Sequence, residues 1–161
     1  MSTTQNPTTI TAQPGTPFVD LEREFDATPD QVFRASSDPE LVAQWLGPRE
    51  LETTIVEYDV RSGGRYRYVQ HAPGGGDFGF HGVFHSVEPG VRVIQTFEFE
   101  GAPGQVSLET ATYEDLGNGR TRFHSHSIYP SVETRDMVIA SGMERGVIDS
   151  MDRLAEILAR D

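Results

Sequence analysis

FVDLEREFDATPDQVFRASSDPELVAQWLGP, residues 18–48, holds a strand, two short helices and the signals that separate them. FVDLEREF alternates apolar and charged side chains with period two, the pattern of a half-buried β-strand ending near Asp26. Thr28, Pro29 and Asp30 then offer an N-cap with proline at the first helical position, so DQVFRASS reads as a short helix. Asp38-Pro39 repeats the device for ELVAQWL, which Gly47-Pro48 stops. The same alternation orients the strand. Val19, Leu21, Arg23 and Phe25 share one face, and Asp20, Glu22, Glu24 and Asp26 the other. The acidic set needs water, so Arg23 points inward with the apolar residues.

Downstream, residues 50–128 read as strands throughout: ETTIVEYDV, GRYRYVQ, FGFHGVFHSV, VRVIQTFEFE, VSLETATYED and RTRFHSHSI. Glycine-rich turns separate them closely, which makes antiparallel hairpins. One long amphipathic helix follows from about Ser131 to Ala159, its apolar stripe running through Met137, Ala140, Val147, Met151, Leu154 and Leu158. The expected class is α+β. A curved antiparallel sheet of about seven strands surrounds the long C-terminal helix, with two short helices after the first strand. Residues 18–161 form this domain. Residues 1–17, rich in Thr and Pro, read as a disordered tail.

Composition excludes much. The chain of 161 residues carries 13 basic and 25 acidic side chains, net −12, and every basic one is Arg. Such a field repels phosphate, so neither nucleic acid nor a membrane is an expected partner. No apolar run approaches the roughly 18 residues a bilayer span needs. The first 17 residues lack the charged and apolar regions of a signal peptide, and there is no Cys, so the cytoplasm is the expected compartment. Absent Cys and Lys remove thiolate, Schiff-base and P-loop chemistry. Gly74-Gly75-Gly76-Asp77-Phe78-Gly79 satisfies G-x-G-x-x-G, but a strand follows where a dinucleotide fingerprint needs a helix.

Three separated stretches also resemble one family. REFDATPDQVFRASSDPELVAQWLGP (23–48), VRSGGRYRY (60–68) and SGMERGVIDSMDRLAEIL (141–158) are similar, in that order, to START/SRPBCC proteins of the heat-shock-protein-90 ATPase activator-like group. Phe33, Leu46 and Ser62 depart from the usual Trp, Trp and Pro. The resemblance spans about residues 18 to 160. It implies a helix-grip fold, as in relatives of the birch pollen allergen, with a ligand cavity between sheet and helix. It implies no single chemistry, because lipid carriers, polyketide cyclases, resistance proteins and co-chaperones share the superfamily.

Strand parity nominates the lining. In RTRFHSHS, Phe123 is apolar, so Ser125 and Ser127 face inward with it as gaps in the wall. Arg122, His124 and His126 then face outward, and His81 and His85 also point out, about 13 Å apart along their strand. No metal and no cofactor are expected. Tyr58, Tyr66, Tyr68, Phe84, Gln95 and Phe97 face in, with Val56, Val60, Phe80 and Phe99. Trp45 joins the candidate ligand-binding set from the second short helix. VSLETATYED admits two registers; a three-residue Gly117-Asn118-Gly119 loop, which pairs Glu114 with Arg122 on the wet face, puts Tyr113 inside. Glu144, seven after Met137 and seven before Met151, continues the inward stripe. Paired with Arg23 it would be a polar anchor for ligand, or else a plain ion pair or solvated side chain. The aromatics would line a pocket or simply fill a core. The expected function is binding of a small, mostly apolar ligand, with aromatic and lipid-like molecules as the candidates. An enzyme of the cyclase, dehydratase or hydrolase type is the alternative, and a co-chaperone-like interaction domain the third. A homodimer stays open.

Overall fold

The structure is a computed structural model describing residues 6–160. Among them, eight strands form one antiparallel sheet: β1 (Thr9–Thr11), β2 (Phe18–Phe25), β3 (Glu52–Tyr58), β4 (Arg65–His71), β5 (Asp77–Glu88), β6 (Arg92–Phe99), β7 (Ser107–Gly117) and β8 (Arg120–Ile128). Their order is β1-β2-β8-β7-β6-β5-β4-β3. β3 to β8 make a meander, and β2 returns to lie beside β8. α1 (Pro29–Ser37) and α2 (Pro39–Trp45) lie between β2 and β3, and α3 (Val132–Ala140) and α4 (Met143–Leu158) end the chain. This is the α+β helix-grip arrangement. No described helix is long and apolar enough to cross a membrane.

Within residues 1–17, read as a disordered tail, Thr9–Thr11 form an additional edge strand. Thr9, Ile10 and Thr11 pair with Glu22, Leu21 and Asp20. β-branched side chains suit an extended edge position, a preference that the Thr- and Pro-rich composition around them hides. Thr8 adds a hydroxyl to which the Arg23 guanidinium donates at 3.1 Å. Residues 1–5 lie outside the described part.

α1 and α2 start where their caps require. Thr28 Oγ1 accepts from Gln31 N while Gln31 Oε1 accepts from Thr28 N, a complete capping box, and Asp38 accepts from Glu40 N. α2 closes against α1 through Trp45, whose indole N–H donates to the Ala35 carbonyl. α4 packs on both. Gly146 meets Pro48 so closely that a Cβ would lie 3.2 Å from the proline ring, and Ser150 Oγ accepts from Gly47 N at 2.7 Å. Met151, Leu154 and Leu158 enter the core beside Phe25, Tyr66 and Tyr113.

The single long helix expected from about residue 131 to 159 is two helices. Gly142, at φ +86°, breaks it with a left-handed residue. That turn removes the assumption of one continuous stripe, so Met137 is 72% exposed instead of buried. A Cβ at Gly142 would touch nothing. Gly142→Ala should therefore lower stability by about 1 kcal/mol through backbone conformation alone. A shift of the urea midpoint reads this, and an unchanged midpoint would mean the elbow does not hold that conformation.

Candidate functional site

The inner face of the sheet is the one that joins α1 and α4 in the core. Register carries one row of side chains across it: Val19 opposite Ser127, Ser127 opposite Glu109, Glu109 opposite Gln95, and Gln95 opposite Phe84. The next row runs Leu21, Ser125, Ala111, Val93. Two small side chains thus stand together in its middle. In the third row Arg23 faces Phe123 and Phe123 faces Tyr113; the register is the one expected, but Gly117 pairs with Arg120, so a bulge between Asp115 and Gly117 sets it instead of a three-residue loop.

Aromatic rings continue this face over the neighbouring strands. Tyr66 and Tyr68 stack at 15° between planes, Tyr68 stacks on Phe80, and Phe80 on Phe97. Tyr58 and Phe84 meet edge to face. Tyr58 and Tyr66 spend their hydroxyls on the Ser36 and Thr96 carbonyls, at 2.7 and 2.6 Å. Tyr66, Tyr68, Phe84 and Tyr113 are buried, whereas Tyr58, Phe80, Phe97 and Phe123 pack on the core yet stay partly accessible. Gln95 and Ser125 are half-buried and Ser127 is buried. Trp45 is core, held by α1 and α2. Val56, read as inward, is 56% exposed because β3 bulges between Ile55 and Glu57.

Of the readings left open for Glu144, the pair with Arg23 does not form. Glu144 opens α4 beyond the elbow and is exposed. Arg23, 2% exposed, instead donates to Asp152 Oδ1 at 2.6 Å, two turns further along α4. A second buried arginine escaped the sequence reading: Arg135 of α3, which donates to the Phe18 carbonyl and pairs with Asp136.

Glu109 is the functional candidate that the sequence reading missed. It keeps some accessible surface, yet it lies in the inner row of β7, between Ser127 and Gln95. Desolvation dominates there and pushes its carboxyl up to about 7, and the Ser127 hydroxyl, hydrogen-bonded to the charged form, partly opposes this. Burial likewise raises Tyr66, Tyr68 and Tyr129, and the nearby Glu109 charge raises them further. The signal was available. Glu109 lies four residues before Tyr113, so any register that buries one buries the other.

The histidines lie on the opposite face. His124 and His126 both reach Asp20 Oδ1, at 3.1 and 2.8 Å, and His81 reaches Glu100. Among the described residues no cluster of three or more His, Cys, Asp or Glu side chains could hold a metal ion. Around them runs a network of ion pairs, with Arg120 on Glu24 and Asp26, Arg122 on Glu114, and Arg67 on Glu100. The Arg67 hydrogen bonds, then that of His81, hold the Glu100 carboxyl down to about 2.

The comparisons agree with this architecture. Residues 26–159 match the family model described as Activator of Hsp90 ATPase homolog 1-like protein. No curated protein matches the chain by sequence. A protein of solved structure from Rhodobacter sphaeroides is 28% identical, with a TM-score of 0.86 over 96% of this chain and 99% of that one. Another, from Chromobacterium violaceum, is 26% identical, with a TM-score of 0.80 over 90% and 99%. A solution structure from Arthrobacter aurescens, 23% identical over 95% and 92%, shares the fold at a TM-score of 0.86. With the match running from the end of the first long strand through the last helix, the chain belongs to the Activator of Hsp90 ATPase homolog 1-like family.

Proposed function

We propose that the chain is a cytoplasmic binding domain for a small, mostly apolar ligand, held between the inner face of the sheet and the C-terminal helices. One observation carries this reading. Phe80, Phe97, Tyr58 and Phe123 face the inner side yet keep accessible surface, instead of closing into a fully buried core. Small side chains at Ser125 and Ala111 fit the same reading, because they leave the middle of the wall thin. Apolar walls with a few polar groups are the usual make-up of small-molecule sites.

Ser125→Phe tests it. Filling a void costs little, whereas overpacking a closed core costs about 1–3 kcal/mol. The expected result is lost uptake of a hydrophobic fluorescent probe at a near-parent melting temperature. His124→Phe, on the other face of the same strand, leaves uptake unchanged. Intact probe binding in Ser125→Phe, or a large fall in its melting temperature, would overturn the reading.

Glu109 favours a second reading, an enzyme of the cyclase, dehydratase or hydrolase type in the same place. A carboxyl that titrates near neutrality can take up and return a proton at working pH. Turnover of a retained small molecule that stops in Glu109→Gln would decide for it. A co-chaperone-like role rests on the family description alone.

A further inference from the structure

Glu109 poses a problem of charge. It is the acid in the middle of an otherwise uncharged inner row, between Ser127 and Gln95. The inner basic residues are engaged elsewhere, Arg23 with Asp152 and Arg135 with Asp136. Burial and one serine hydroxyl govern its carboxyl, with no basic side chain contributing. An ionised carboxylate in such a place is costly until a cation comes to it.

The surroundings suit one kind of cation. Phe97 stands diagonally across from Glu109 on the neighbouring strand, and Phe80, Tyr68 and Tyr66 continue the ring stack away from it. Aromatic faces carry negative potential and attract organic ammonium groups, while they exclude small hydrated ions that need a polar shell. The net charge of −12 raises the local concentration of any cation approaching from solution. A neutral apolar ligand would use the rings and leave the carboxylate unanswered. An anionic one, a fatty acid included, would meet repulsion.

We propose that the inner face takes a hydrophobic amine, with its ammonium group against the Glu109 carboxylate and its apolar body along the rings of Tyr68, Phe80 and Phe97. This rests on the reading of the inner face as a ligand site and names the ligand class. Glu109 is then the counter-ion of the bound ligand, and Ser127 holds the carboxylate toward it.

The test uses three soluble probes of one shape: 3-phenylpropan-1-amine, 3-phenylpropan-1-ol and 3-phenylpropanoate, titrated calorimetrically at about pH 8, where carboxyl and amine are both charged. The amine should bind the parent at least about tenfold more tightly than the alcohol, since a buried charge pair is worth that much or more, and the carboxylate should bind weakest. In Glu109→Gln the amine should fall to the level of the alcohol, with the alcohol itself within about twofold of its parent value. The unmodified protein gives a second readout. The advantage of amine over alcohol should shrink as pH falls from 8 to 5, because Glu109 takes up a proton there. The groups facing it are the uncharged Gln95 and Ser127, the tyrosines 66, 68 and 129, whose hydroxyls burial keeps protonated, and Arg135 behind Tyr129. An amine no tighter than the alcohol, or an advantage that survives in Glu109→Gln, overturns the inference and leaves the apolar site standing. If none of the three probes binds, the site itself is refuted, and the inference falls with it.

Discussion

Asp152→Ala is expected to destabilise the protein by roughly 3 kcal/mol, the low end of the range for breaking a buried ion pair. The Arg23 side chain is 1% exposed and Asp152 35% exposed, at 2.6 Å. Removing the carboxylate takes an anionic partner from a guanidinium that cannot reach water, so this direction costs more than Arg23→Met, which leaves a carboxylate already partly hydrated. The double variant Arg23→Met, Asp152→Ala should recover much of the loss. Glu144→Ala, at the position where the helical stripe predicted the partner, should stay within about half a kcal/mol of the parent. Urea melts of the parent and these four variants check this. An Asp152→Ala midpoint close to the parent would mean that the pair does not fasten α4 to the sheet.

The second large effect is a dependence on pH. The Glu109 carboxyl titrates near 7 in the folded protein against an ordinary 4.5. Between those values the folded state holds a proton that the unfolded chain has released, so stability falls as pH rises through that window and is level above it. The expected loss from pH 4.5 to 7.5 is on the order of 3 kcal/mol. Glu109→Gln should flatten that slope and be the more stable protein at pH 7.5. Glu100 acts in a separate window and with the opposite sign. Held down to about 2, it supports the fold above its ordinary value and loses that contribution as pH falls toward 2. Equal slopes for parent and Glu109→Gln between pH 4.5 and 7.5 would show that the carboxyl is hydrated.

Facing along the strands was legible because alternation with period two leaves little freedom. One charged face on β2 orients Arg23, and Phe123 orients both serines. Helix facing was not, because a heptad count from Met137 to Glu144 presumes an unbroken helix. The Ser141-Gly142 turn interrupts it without proline or any charge pattern to mark the place. Asp152 lay beyond that interruption, on the side of α4 that packs inward. Glu109 went unremarked for another reason. Acids are taken to face water, and that presumption outweighed a register that already buried Tyr113. Val56 was lost to a bulge, which shifts parity by one and leaves no composition signal.

The three residues of β1 have a consequence for the solubility of the molecule. β2 runs for eight residues, and its far side would otherwise present a row of free amides and carbonyls, open to any extended chain of like kind. Thr9–Thr11 occupies the middle of that row and is itself too short, and too rich in threonine, to recruit a further strand. Shortening the protein from its N-terminus past Thr11 would unmask β2 and also take the Thr8 hydroxyl from Arg23. The product would gather into β-rich aggregates as its concentration rises.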